Sequence, residues 1–391
     1  MILNFKTKII VLATILISCQ LRFFAQSKFA NAVEFSTRVS GDFVNNFFGG
    51  FKKGYTYIGM EDLTLSFETS EAGWWKNGTL FIHGLNTHGK GPSEILTGDL
   101  QIMSNIESGD YTGLYEFWYM QKFGHFSVLL GKHDLNTEFV GTKYGGTFIN
   151  SSFGIAPSIS LNVPVSIYPV AAPCIMIKYE NENKFACKLA VYDGDPGNIE
   201  SNRFGIRWNV NTHDVFLSIS EIQYFVSSGD QVNGIYKIGG FYHSGRFLDY
   251  TDTLFNKRGD YGFYIVADQS IFPRSLNAGR GLCYFFQGGF APSNLNMVQS
   301  YIGTGFRYHG ILPYRFNDEL GIAIACVGIS KDYRKLFSES LSYETSWELT
   351  YIFRFGGRYS IQPSAQYIIN PGANKNINNC LAGLLRFSLT Y

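Results

Sequence analysis

The chain has 391 residues, with charged residues at 16%, aromatic residues at 17% and a formal net charge of +1. Soluble domains carry roughly 25% charged residues, so this chain is poor in charge and rich in rings, and its near neutrality argues against nucleic acid as a partner. It lacks the apolar runs of about 20 residues that a helical membrane protein needs, while a mean hydropathy of −0.03 is what the alternating strands of a membrane β-barrel give.

Residues 1–25 read as a secretory signal peptide. Lys6 and Lys8 precede an apolar run from Ile9 to Ile17, too short to span a bilayer as a helix, and cleavage is placed after Ala25. The alternative is a lipobox, Leu16-Ile17-Ser18-Cys19, which would lipidate Cys19. Residues 26–391 show no composition break or linker and are read as one outer-membrane barrel domain.

Through that domain the pattern has period two. Strands are expected over Leu63 to Phe67, Leu114 to Lys122, Arg203 to Val210 and Ile235 to His243. In Arg203 to Val210, the residues Phe204, Ile206, Trp208 and Val210 are assigned to lipid, and Arg203, Arg207 and Asn209 to the lumen. A charge facing lipid at mid-depth costs about 2–4 kcal/mol, so charges should point inward. Further on, Trp347, Leu349, Tyr351 and Phe353 share one face, and Glu344, Glu348, Thr350 and Arg354 the other. Gly356-Gly357 suits a tight turn on the short periplasmic side. The returning strand puts Ile361, Ala365, Tyr367 and Ile369 outward against Gln362, Ser364 and Gln366, and Asn370 to Asn379 reads as an extracellular loop. In the last strand Leu385, Phe387, Leu389 and Tyr391 oppose Arg386, Ser388 and Thr390. An aromatic C-terminal residue after such alternation resembles the signal read by the barrel-assembly machinery.

Removing 25 residues from 391 leaves 366, and at roughly 23 per strand and connection this supports about sixteen antiparallel strands. Barrels of about 16–18 strands leave an aqueous channel. The six cysteines, Cys19, Cys174, Cys187, Cys283, Cys326 and Cys380, show no C-x-x-C spacing and no paired histidine, so neither a metal site nor a cofactor is expected. Of the aromatic pairs Trp74-Trp75, Trp118-Tyr119 and Phe47-Phe48, at most one ring of each can face the lumen from a regular strand. An interfacial girdle is the expected use of these rings.

Several stretches together carry a resemblance. Phe126 to Phe139 reads FSVLLGKHDLNTEF, followed by Phe148-Ile149-Asn150 and the Pro-rich stretch Pro157 to Pro173. Tyr236 to Gly245 reads YKIGGFYHSG, Gly259 to Gln269 reads GDYGFYIVADQ, and Gly303 to Ala325 reads GTGFRYHGILPYRFNDELGIAIA. Tyr343 to Tyr351 reads YETSWELTY and Ile361 to Gly372 reads IQPSAQYIINPG. In this order the chain resembles the carbohydrate-selective porin family (OprB-like). The resemblance implies sixteen strands, an inward-folded loop that narrows the lumen, and diffusion of sugars. The chain departs from the family pattern at Cys174-Ile175-Met176 after Pro173, at Lys132 after Gly131 and at Tyr314-Arg315.

A neutral sugar offers hydroxyls and apolar C–H faces, so a selective pore should present rings for the faces and charged or amide groups for the hydroxyls. Candidate contacts are Lys132, Asp134, Asn136 and Glu138 in the motif ending the fifth or sixth strand, and Glu116 on the strand before it. Arg203, Arg207, Glu344, Glu348 and Arg354 join them from the lumen face. The competing role for each is a charge network bracing the wall. Expected partners are permeating sugars, outer-membrane lipid and the assembly machinery, with a homotrimer compatible. A general diffusion porin is the alternative. A barrel-borne enzyme lacks an activated nucleophile beside any of the seven histidines, and a soluble adhesin is disfavoured by the ring-dense outward faces.

Overall fold

Strands with apolar residues on one face and polar residues on the other leave two solvents to satisfy, and a sheet closed on itself does so with no unpaired edge. The computed structural model of the chain describes residues 31–181, 184–200, 202–208, 215–228, 231–272 and 280–391. The leader, with its cleavage point and lipobox, lies outside the described residues, as do Asn209 and Val210. Among the described residues sixteen strands occur. The first eight are β1 Val33–Gly50, β2 Gly54–Glu68, β3 Gly78–Gly89, β4 Tyr111–Phe123, β5 Phe126–His133, β6 Ala172–Asn181, β7 Phe185–Asp193 and β8 Phe216–Ser228. They continue as β9 Gln231–Leu248, β10 Asn256–Phe272, β11 Gly281–Phe290, β12 Val298–His309, β13 Glu319–Ile329, β14 Tyr343–Phe355, β15 Tyr359–Ile369 and β16 Asn378–Thr390.

Each strand pairs antiparallel with its neighbours in sequence, and β1 closes on β16 through pairs such as Asp42 with Arg386 and Gly41 with Phe387. The seam ends on Tyr391, whose backbone N–H and carbonyl both bond to Thr37. On β16, Phe387 and Leu389 are exposed outward, while Cys380, Ala382 and Leu384 are buried on the inner face. On β14, Trp347 and Leu349 face outward and Glu344, Ser346, Glu348 and Thr350 inward. Gly356 and Gly357 turn the chain with φ of +59° and +76°, a conformation glycine adopts without a Cβ clash.

The expected strand from Arg203 to Val210 is a correction. Residues 202–208 form a turn, pinned where Asn202 accepts from the Arg207 N–H (3.1 Å) and donates to the Arg207 carbonyl (2.8 Å). Gly205, at φ +65°, breaks the extended path. Phe204, Ile206 and Trp208 are exposed, and the Trp208 ring meets Phe117 of β4. Their alternation belongs to a loop on the wall of the barrel, so Arg203 and Arg207 hold no lumen-facing strand position.

The start of β1 and Tyr391 lie at one end of the barrel. At the opposite end, two long connections, 90–110 and 134–171, turn back into the lumen. Phe139, Phe148 and Phe153 of the second are fully buried. Phe148 and Phe153 meet each other at a ring distance of 5.0 Å and Phe285 of β11 at 5.6 and 5.7 Å. The apolar cluster extends over inward residues of β5 to β13, including Met176, Ile219, Tyr264, Tyr301 and Val327. The barrel therefore has an internal core on one side, built between loop and wall.

Candidate functional site

A loop folded into a barrel brings backbone N–H groups that the strands do not satisfy, and each needs an acceptor. The wall supplies carboxylates. Glu344 of β14 accepts from the N–H of Leu100 (2.8 Å), Gln101 (3.0 Å) and Gly372 (2.6 Å). Two steps of alternation along the same face, Glu348 accepts from Ile149 N–H and Asn150 N–H, both at 2.9 Å, and from the Ser364 hydroxyl. Glu221 of β8 accepts from Val140 N–H, and Asp268 of β10 from Lys143 N–H and Tyr144 N–H. The two loops also hold each other, through Asn105 N–H to the Ile149 carbonyl and Ser151 N–H to the Ile102 carbonyl.

The rest of the lumen wall is polar and its charges alternate between neighbouring strands. Arg38 of β1 meets Asp62 of β2 at 2.6 Å, Asp62 meets His83 of β3 at 2.9 Å, and His83 meets Glu116 of β4 at 3.0 Å. A ring held between two carboxylates donates to both only as imidazolium. Arg386 pairs with Asp42 at 2.7 Å and reaches the Ser104 hydroxyl of the first loop. Across the lumen Arg354 and Arg307 flank Glu319, at 2.8 and 3.6 Å. Most of these side chains are buried, but Arg38 is 53% exposed and Arg354 42%. Those two guanidinium groups remain open to water.

Eight of the ten candidate residues share this assembly. Glu116, Glu344 and Glu348 are buried acceptors for loop N–H groups, Glu116 through Asp134 N–H at 3.0 Å. Asp134 caps the turn Leu135–Thr137 and accepts from the Tyr115 hydroxyl at 2.6 Å. Burial, with the nearby Glu116 charge, pushes its carboxyl up to about 7. Asn136 donates to the carbonyls of Phe139 and Gly154, bracing the loop internally. Glu138 meets Lys188 at 2.5 Å and Lys178 at 3.9 Å. Burial acts to raise its carboxyl, but the two ammonium groups outweigh it and hold the group below the usual carboxylate range. Arg354 is water-facing and paired with Glu319. Lys132, next to last in β5, stands beside a seam in the wall, where β5 ends and β4 runs on. Its ammonium donates to the Leu114 carbonyl (2.9 Å) and the Gly205 carbonyl (3.0 Å), tying the 202–208 turn against β4.

Arg38, Asp42, Asp62, His83 and Arg386 were not singled out from sequence, although each sits at an inward position of its strand. Strand parity was the available signal. Trp118 faces inward, whereas Tyr119 faces outward and accepts from Trp75 Nε1 at 2.6 Å. Phe47 and Phe48 are both exposed, because a bulge between Asn46 and Phe48 breaks the alternation.

The same architecture occurs in known proteins. Residues 52–391 match the family described as carbohydrate-selective porin, OprB family. Porin B of Pseudomonas aeruginosa is 22% identical over 404 residues, covering 92% of this chain and 87% of that protein. The high-pH structure of Pseudomonas putida OprB superposes with a TM-score of 0.84 at 18% identity, covering 95% of this chain and 96% of that one. The outer-membrane channel DcaP of Acinetobacter baumannii shares the fold at a TM-score of 0.56 and 10% identity, covering 92% and 97%. With the match running from just after β1 to the last residue, this closed, loop-narrowed barrel belongs to the OprB family of carbohydrate-selective porins of the bacterial outer membrane.

Proposed function

We propose that the lumen conducts monosaccharides and small oligosaccharides by diffusion, in preference to amino acids of similar size. The observation carrying this reading is the pairing of water-facing guanidinium groups, Arg38 and Arg354, with acids on adjoining strands. Such a wall offers hydroxyls both donors and acceptors while its charges cancel locally, so a neutral polar solute is favoured over an ion. The wall carboxylates Glu116, Glu344 and Glu348, with Asp134, Asn136 and Glu138, set the width of the passage by fixing the loops, and Arg354 is the candidate that meets solute directly. Residues 1–25 act as the export leader, the end carrying Tyr391 faces the periplasm, and the assembly machinery reads the last strand.

Single-channel current in a planar bilayer tests the reading. Added glucose should reduce the ion current in a dose-dependent, saturable way, while glycine at equal concentration should leave it nearly unchanged. Equal effects of both solutes would reduce the protein to a general diffusion pore.

A further inference from the structure

Phe81 of β3 and Trp118 of β4 are directly opposed cross-strand partners. Their rings stack with centroids 4.8 Å apart and planes at 22°. The neighbouring opposed pair of the same face, His83 and Glu116, belongs to the charged network of the lumen. Side chains two residues apart on a strand share a face, so the stack faces the lumen as well. It lies about 7 Å from the His83–Glu116 pair, toward the end carrying Tyr391. Both rings are only half-buried. The positions beside them are small: Ser66 opposes Phe81 on β2, and Gly131 opposes Trp118 on β5. Neither can cover the rings.

Trp118 meets the margin of the loop core beside the His133 ring, 6.0 Å away, and Phe81 lies one strand further toward the charged network, so the stack stands where the apolar and polar linings of the lumen meet. Its neighbours complete a recognisable chemistry. A pyranose has an apolar C–H face that sits on aromatic rings and an edge of hydroxyls that needs donors and acceptors. Here the Phe81 ring meets His83 at a centroid distance of 6.1 Å, and His83 leads on to Asp62 and the half-exposed guanidinium of Arg38.

We propose that the Phe81–Trp118 stack is a sugar-binding platform below the loop constriction, taking the C–H face of a monosaccharide while Arg38 and Asp62 receive its hydroxyls. This rests on the reading of the lumen as a sugar channel and adds a resting site along it. Both rings stand on regular paired strands, and since Trp118 also meets the loop core, its removal is read beside the conservative Trp118→Phe and the separate Phe81→Leu.

Glucose block of single-channel current, measured in Trp118→Ala, Trp118→Phe and Phe81→Leu beside the unaltered protein, tests the platform. The half-blocking glucose concentration should rise about two- to tenfold in Trp118→Ala. Trp118→Phe should restore most of the affinity, and sugar-free conductance should stay close to the original or rise slightly. If Trp118→Ala fails to fold, Phe81→Leu gives the same reading with a smaller shift. Half-blocking concentrations unchanged in both alanine and leucine variants, while the unaltered protein still discriminates glucose from glycine, overturn the platform and leave the sugar channel standing. Absence of discrimination in the unaltered protein overturns both.

Discussion

At the scale of single residues, the buried wall carboxylates decide the shape of the lumen. Glu348 satisfies two loop N–H groups and one hydroxyl, and its removal leaves Ile149 and Asn150 with buried, unpaired donors. Each such donor costs about 1–3 kcal/mol. Glu348→Ala should therefore lower the temperature at which the folded barrel loses its fast mobility on a denaturing gel, and should raise open-channel noise. Glu348→Gln, which keeps one acceptor oxygen, should fall between. Glu107 on the first loop makes a pH-dependent case. It accepts from Ser93 N–H at 3.1 Å, and burial together with the Asp99 charge raises its carboxyl from 4.5 to about 7. A carboxyl raised on folding favours the folded loop while it is protonated. That contribution is complete below about pH 4.5 and is lost as pH rises through about 7. Channel noise should thus increase between pH 5 and pH 8, and Glu107→Gln should flatten the profile.

At the scale of elements, the seam beside β4 explains why one stretch of alternation was not a strand. Phe204, Ile206 and Trp208 repeat every second residue as a lipid-facing strand does, yet they sit on a turn that fills the wall where β5 leaves for the lumen. Leu114 N–H donates to the Phe204 carbonyl at 2.9 Å, and Lys132 ties the same turn from below. Lys132→Met should loosen this seam. Trypsin should then cut faster at Arg203 and Arg207, with the ratio of sugar to amino-acid permeation unchanged; a changed ratio with an intact seam would return Lys132 to the conducting path. Parity alone made the regular strands legible: Glu344 and Glu348 face inward as their spacing requires, as do Gln362, Ser364 and Gln366. The roles of those residues were not legible, because Glu344 acts on Leu100 and Gln101 from 243 and more positions away in the chain. Local spacing carries no record of a loop that folds back from the far end. Asp62, His83 and Arg38 escaped notice for a related reason, since their network spans three strands and each residue alone is an ordinary inward polar group.

At the scale of the whole molecule, the barrel divides its lumen into a side filled by the apolar core of 134–171 and a side lined by paired charges, with the Phe81–Trp118 stack between them. This division, more than barrel diameter, sets what passes. A sixteen-strand wall without its loops would leave a wide aqueous channel, whereas two loops clamped by buried acids leave a passage of limited width and mixed polarity. Liposome swelling with the refolded protein measures that directly, using neutral sugars of graded size against size-matched amino acids and salts. The account predicts fast swelling with monosaccharides, slower swelling with disaccharides and larger sugars, and slower entry of amino acids than of sugars their size. Equal rates for every small solute, or no swelling from barrels shown to be folded, would contradict it.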